Sequence, residues 1–379
     1  MDSARFHRRA ILALRFAMVA VLVTGARAAG ADVVSVEPKI EEGVAWYDVQ
    51  AWGVEGRGWS ETKRYFDRLP GKAEGVVRGP VWSLSRHSAG MCARFATDAT
   101  EISARYTLLS DNVAMPHMPA TGVSGLDLYA RDDRGQWRWV AVTRPTGKEV
   151  KARLASGIAP GRREYLVYLP LYNGVESLEI GVPQDASFEP LAPRTDKPIV
   201  YYGTSIAHGA CASRPGMSFS AILGRWLDRP VLNLAFSGNG RMDPEVVDLL
   251  AELDPAVYCI DCLPNMQGPD VAERTEPLVR KLRKARPETP IVLIEDRTYT
   301  NAWLLPSSRE RHAQSRAAFR AAYERLADDG VEGLHYVEGE HLLGDDNEGA
   351  TDGSHPSDLG MMRMAESLEP VLRPLLEKP

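Results

Sequence analysis

The chain has 379 residues, 44% of them hydrophobic and 25% charged, with a formal net charge of −6. That length can bury two sizeable cores, so two domains are expected after processing. An acidic balance, without a basic run or a basic patch interleaved with aromatics, excludes the electrostatic footprint of a nucleic-acid-binding protein.

The first 30 residues read as an address. Arg5, Arg8 and Arg9 make a positive start, residues 16–24 a short apolar core, and Ala26-Arg27-Ala28 a small-residue cleavage site. The apolar core is too short for a stop-transfer span. A cleaved export signal over 1–30 is therefore expected, hence a secreted or periplasmic protein with no stable membrane insertion after cleavage. Arg8-Arg9 leaves the general and twin-arginine routes both open.

Residues 31–190 carry β patterning. Apolar and polar positions alternate through 102–106, 126–130 and 137–140, with Asp132-Asp133-Arg134-Gly135 as a turn. Asn173-Gly174 predicts a two-residue hairpin between runs ending at Leu171 and starting at Val175. Many short strands with polar turns predict an all-β, jelly-roll-like sandwich. Its Trp and Tyr side chains are read as core rather than as a sugar-stacking platform. The Pro-bearing stretch 189–193 is the expected boundary.

From residue 197 to 379 strand and helix alternate. Strands are predicted at 199–202, 231–235, 257–261, 291–295 and 334–337. Helices are predicted at 218–227, 244–253, 271–285 and 310–327, with a last one after Ser357. This order predicts a parallel sheet with helices on both faces, whose ligands bind beyond the carboxyl ends of the strands. Cys259 and Cys262 lie three apart on a predicted strand and point to opposite faces, so they neither bridge nor share a metal ion. Cys92 and Cys211 fall in different predicted domains, and free buried thiols are expected throughout.

Two short segments supply chemistry at that rim. Gly203-Thr204-Ser205 follows the first strand, and Asp352-Gly353-Ser354-His355-Pro356 precedes the last helix. A serine hydroxyl needs an imidazole to take its proton, and the imidazole needs a carboxylate to fix its tautomer. Neither a phosphate-binding loop nor a dinucleotide glycine pattern fits Gly203 to Gly209, and Ala207 breaks a Gly-x-Ser-x-Gly elbow.

In these blocks the chain resembles the SGNH hydrolases, or GDSL-type esterases and lipases. Tyr202-Gly203-Thr204-Ser205-Ile206 matches the first block, with Thr204 where the family name spells Asp. Asn233 to Gly240 matches the second, Cys262-Leu263-Pro264-Asn265-Met266 the third and Asp352 with His355 the last. The resemblance implies a three-layer α/β/α, flavodoxin-like catalytic domain over 197–379. It implies Ser205 as nucleophile, His355 as base and Asp352 as its orienter. The N–H groups of Ser205 and Gly238 and the side chain of Asn265 are implied as the oxyanion hole. No metal and no cofactor is implied.

Other residues at the rim carry smaller expectations. His208 is a candidate for contacting substrate or competing as base, and Arg214 and Arg297 are candidates for contacting substrate, with a structural ion pair the favoured reading for each arginine. The acidic run of Glu338, Glu340, Asp345, Asp346 and Glu348 with His341 is read as a solvated loop rather than a cation site. The expected activity is hydrolysis of a carboxylic ester, with short acyl groups such as acetyl on a carbohydrate as substrate. An acyltransferase using the same acyl-enzyme and a lipid esterase are the alternatives, and a non-catalytic carbohydrate-binding protein is a third. The partner is thus a small-molecule or polysaccharide ester, and the oligomeric state is left open.

Overall fold

Period-two patterning in the first half of the chain folds as two antiparallel sheets. In this computed structural model, which describes residues 32–377, they are built from β1 (Lys39–Glu41), β2 (Val44–Asp48), β3 (Cys92–Thr97), β4 (Glu101–Leu108), β5 (Asp127–Arg131), β6 (Trp137–Val142), β7 (Glu149–Ser156), β8 (Arg163–Tyr168), β9 (Val175–Pro183) and β10 (Phe188–Leu191). One sheet runs β1-β2-β9-β4-β7 and the other β10-β3-β8-β5-β6. Apart from the β5–β6 hairpin, successive strands from β2 to β9 switch sheets, which is the double Greek key of a jelly roll. In β4 every second residue is buried, so Ile102, Ala104, Tyr106 and Leu108 meet Tyr165 and Val167 of the other sheet in one core. The expected export signal lies outside the described residues.

Two local expectations fail. Asn173-Gly174 does not close a hairpin, because β8 pairs with β3 and β5 while β9 pairs with β2 and β4. The dipeptide instead carries the chain from one sheet to the other. Asn173 is buried there, its amide donating to Ser110 O and Ser124 Oγ at 3.0 and 3.1 Å. The stretch 189–193 is not all linker either, since Phe188–Leu191 forms the edge strand beside β3, the place in a sheet that tolerates Pro190.

The second half folds on a parallel sheet of β11 (Ile199–Gly203), β12 (Val231–Ala235), β13 (Val257–Asp261), β14 (Ile291–Ile294) and β15 (Leu334–Val337). Its order, β12-β11-β13-β14-β15, is the flavodoxin-like arrangement. Both faces are buried, as the continuous apolar strands require. Ile199, Tyr201, Val257 and Cys259 pack toward helices Phe219–Trp226 and Asp358–Leu376. Val200, Tyr202, Tyr258 and Ile260 pack toward Pro244–Glu252, Gly268–Ala285 and Pro306–Asp328. Cys259 and Cys262 sit in these opposite cores, and all four thiols are free and buried.

Segments between the sandwich strands enter the cores of the parallel sheet. Met118, Val123 and Leu171 join one layer, and Leu69, Val77 and Val81 join the other. Arg68 is fully buried and donates from Nη1 to Asn233 O and Ala235 O, each at 2.8 Å, at the end of β12. Residues from Asp32 onward form one compact unit. Among the described residues no helix is long and apolar enough to cross a membrane.

Candidate active site

Ser205 opens a four-residue helix directly after β11, which Gly209 ends in a left-handed turn at φ 108°. At the first position of a helix the backbone N–H has no intrahelical acceptor, so that of Ser205 is free for a ligand. Gly203 and Gly240 let two turns touch. A Cβ on Gly240 would stand 2.1 Å from Gly203 O, and one on Gly203 would stand 2.8 Å from Asp261 O. Thr204 is wholly buried, so an Asp in its place would bring a carboxylate out of water at a cost that Thr avoids.

The Asp352–His355 loop faces this turn. His355 Nε2 lies 2.8 Å from Ser205 Oγ, and its Nδ1 lies 2.7 Å from Asp352 Oδ2. Asp352 Oδ1 accepts the N–H groups of Ser354 and His355 at 3.0 and 2.8 Å. Partial burial pushes the Asp352 carboxyl up, but these hydrogen bonds and the imidazole outweigh it and hold it down at about 2. Asp352 is thus ionised at neutral pH and selects the Nδ1–H tautomer of His355, leaving Nε2 as an acceptor.

Gly238 and Asn265 occupy the same rim, after β12 and β13. Gly238 has φ 68°, where glycine is at ease, and its Cβ position is open space. Asn265 Oδ1 accepts the Gly240 N–H at 3.2 Å. That bond fixes the amide plane and leaves Nδ2 as the free donor edge. The departures around Asn265 have a local cause: Leu263–Asn265 forms a 3₁₀ turn with Pro264 near its start, which still delivers the amide to the rim.

The structure engages all three substrate-contact candidates within the protein, Arg214 and Arg297 in the ion pairs favoured for them. His208 is fully buried, stacks on Tyr172 at 4.3 Å and has Nε2 2.8 Å from Leu171 O. Burial, then the nearby Arg68 and His87, drive its pKa well down, so it stays a neutral packing group. Arg214 pairs with Asp127 at 2.9 Å and also bonds Tyr129, clamping the sandwich to the loop after Ser205. Arg297 is 1% exposed. It donates to Ser354 O and Ser354 Oγ at 3.0 and 2.9 Å and to Asp296 at 2.6 Å, so it braces the His355 loop from beneath. Among the acidic-run residues, Asp346 pairs with Arg363 and Asp345 with His341.

Sequence reasoning missed several neighbours. Tyr172, from the sandwich crossover, donates to Ser205 O at 3.3 Å. His117, from the loop between β4 and β5, has its ring 6.2 Å from that of His355. Asp261 is buried under the nucleophile turn, and burial pushes its carboxyl up to about 8. Beside Gly353, whose C=O accepts from Thr300 N at 2.9 Å, the loop exposes Trp303, Leu304 and Leu305. None of these has a local motif, since each becomes a neighbour only through tertiary packing.

Residues 196–373 match the GDSL-like lipase/acylhydrolase family, and residues 44–188 match the N-terminal region of SGNH-hydrolase-type esterases. A protein described as a GDSL-like lipase from Bacteroides ovatus is 33% identical, with a TM-score of 0.84 over 88% of this chain and 98% of its own. The salicylyl-acyltransferase SsfX3 of a tetracycline biosynthetic pathway shares the fold at 18% identity, with a TM-score of 0.66 over 92% of this chain and 95% of its own. A family two carbohydrate esterase from Cellvibrio japonicus does so at 14% identity, with a TM-score of 0.58 over 88% and 98%. No curated protein matches. With its four blocks on one rim of a 2-1-3-4-5 sheet and a one-third-identical relative along nearly its whole length, the chain belongs to the GDSL-like, or SGNH, hydrolase family and is an esterase.

Proposed function

We propose that the protein is an exported serine esterase that removes short acyl groups, acetyl above all, from a carbohydrate. The observation that carries this reading is the unbroken run from Asp352 through His355 to Ser205, at 2.7 and 2.8 Å. Ser205 Oγ attacks the acyl carbonyl as His355 Nε2 takes its proton, and Asp352 stabilises the imidazolium. The carbonyl oxygen becomes an oxyanion that accepts from the N–H groups of Ser205 and Gly238 and from Asn265 Nδ2, about 3 kcal/mol for each donor. The tetrahedral intermediate collapses, the ester C–O bond breaks, and His355 returns the proton to the leaving alcohol. Water, deprotonated by His355, then attacks the acyl-enzyme and frees the acid and Ser205.

The surroundings favour a hydroxyl-rich alcohol over a lipid. A cleft of about 170 Å³ reaches Asn265 and is lined by Arg78, Arg241, Asp243, Asp270 and Arg274, donors and acceptors suited to sugar hydroxyls. The exposed Trp303 offers a flat apolar face beside the His355 loop. Carbohydrate esterases that share this fold add support. For export, the support is the Arg5–Ala28 pattern, and it is checked by the N-terminus of the protein recovered outside the cytoplasm, expected just after Ala28.

The deciding experiment is turnover on nitrophenyl esters of increasing chain length, followed by acetate release from acetylated polysaccharides. Acetyl esters are expected to be best. A preference for long acyl chains would turn the reading to a lipid esterase, and transfer to an added acceptor alcohol without free acid would turn it to an acyltransferase.

A further inference from the structure

One thiol stands next to the proposed relay and takes no part in it. Cys211 lies just past the helix that carries Ser205, nearly buried. Its Sγ, a carboxylate oxygen of Asp352 and a ring nitrogen of His355 all lie within 4.8 Å of one another. These groups come from two distant segments, and thiolate, imidazole and carboxylate are the donors that zinc combines. With metal–ligand bonds of about 2.0–2.3 Å, the ligand atoms of a tetrahedral site stand roughly 3.5 Å apart. Asp352 and His355 are hydrogen-bonded at 2.7 Å, closer than two ligands of one ion, so a cation has to open that bond to roughly 3.5 Å and draw in the Cys211 side chain by about 1 Å. Asp352 is nearly half-exposed, so the trio is reached from solvent.

We propose that Cys211, Asp352 and His355 form an inhibitory site for a thiophilic divalent cation such as Zn²⁺ or Cd²⁺. The inhibitory consequence rests on the proposed role of His355, whereas the binding itself does not. Because Asp352 stands on the Nδ1 side of the ring, the cation shared by all three residues sits on Nδ1. A cation on Nδ1 displaces Asp352 from the ring and forces the neutral imidazole to carry its hydrogen on Nε2, facing the nucleophile with a donor instead of an acceptor. The base is thereby lost. Binding displaces the thiol proton to solvent and involves no change of oxidation state.

The test uses the full mature chain with two variants, Cys211→Ser and Cys211→Gly. Glycine suits the φ of 66° at this position, so at least one replacement should fold. Cadmium titration followed by the ultraviolet thiolate-to-cadmium charge-transfer band reads binding without any esterase assay. The band is expected in the native chain and absent from both variants, which keep the other buried cysteines. In nitrophenyl acetate hydrolysis, Zn²⁺ should inhibit the native enzyme and chelator should restore it. Both variants should keep basal activity while the inhibitory Zn²⁺ concentration rises at least about tenfold, as removal of a ligand predicts; Mg²⁺ and Ca²⁺ should have no effect on any form. A band that persists in the variants, or unchanged zinc sensitivity without Cys211, overturns the proposal. An absence of esterase activity alongside a Cys211-dependent band would instead overturn the catalytic reading and leave the metal site standing.

Discussion

Two histidines flank Ser205, and their surroundings give them opposite capacities. His208 is three residues away in sequence and fully buried. It is stacked on Tyr172, 5.5 Å from the His87 ring, and its Nδ1 has no hydrogen-bond partner. His355 is 150 residues away and partly open to solvent. One ring nitrogen is on a carboxylate and the other on the nucleophile. Closeness along the chain gave His208 a shared helix with Ser205 but an apolar setting, in which a charged imidazole is unstable. A base has to accept a proton and then be stabilised as a cation, and Asp352 offers that only to His355.

The most severe way to break this contrast is to remove the reacting pair. Ser205→Ala and His355→Gln should each lower kcat by about a million-fold if the triad acts as a unit, with an unchanged circular dichroism spectrum. A His355 variant retaining a tenth of native turnover would mean that another base, His208 included, does the work. Next in size is Asp352→Asn, expected to cut kcat by about ten-thousand-fold because the wrong tautomer is then favoured. Asn265→Ala should lower kcat by roughly a hundred- to a thousand-fold at nearly constant KM, since its bond is made chiefly in the transition state. An unchanged kcat would show that the backbone donors suffice.

How far the sequence disclosed this arrangement depended on how local each signal is. The parallel sheet was legible almost residue by residue, because β11 to β15 are short, mostly apolar runs bounded by turns and helices. That Ser205, Asp352 and His355 would meet was legible because each sits in a compact block at the rim of the sheet. The Asn173 turn was misread because its signal is local, whereas the partner of a strand in a sandwich is set by which sheet the chain enters next. For Arg297 and Arg214 a structural ion pair was the favoured reading, but its partners were not legible. A lone arginine in a loop carries no mark of burial, and only the fold reveals Asp296 and Asp127 waiting for them.

His208→Phe sharpens the contrast by acting on stability rather than chemistry. Phenylalanine keeps the stacking on Tyr172 but leaves Leu171 O without its donor, at a cost of about 1–3 kcal/mol, and kcat should stay within about tenfold of native. The native chain should also lose stability as pH falls below 6.5. Burial lowers His87 to about 3, His312 to about 4 and His208 well below its ordinary 6.5. Between those values and 6.5 the unfolded chain binds protons that the folded chain does not, so stability rises with pH there. Asp261, raised to about 8, and Asp127, also raised by burial, work in the opposite sense by at most one proton each, leaving the three histidines dominant. Urea midpoints measured from pH 7 to pH 5 should fall, and fall less steeply in His208→Phe. A slope unaltered by that substitution would show that His208 is charged in the folded protein.

The smallest expected effect concerns the reach of the sandwich into the site. Tyr172 comes from the crossover between the two sheets, yet its hydroxyl donates to Ser205 O at 3.3 Å and packs its ring on His208. The same carbonyl already accepts the N–H groups of Gly209 and Ala210 at 3.1 and 2.9 Å, so the phenol is a third and longer bond to an acceptor that is satisfied without it. Tyr172→Phe keeps the ring and removes that bond together with the hydroxyl's hydrogen bond to Ser237. Their loss should cost about 1 kcal/mol of stability and lower kcat by no more than about fivefold, with KM unchanged because the hydroxyl is spent on the protein rather than on substrate. A hundredfold fall in kcat at unchanged stability would place Tyr172 on the reacting side of the nucleophile with His355. A rise in KM alone would make it a substrate contact, and the division between a packed histidine side and an open catalytic side would have to be redrawn.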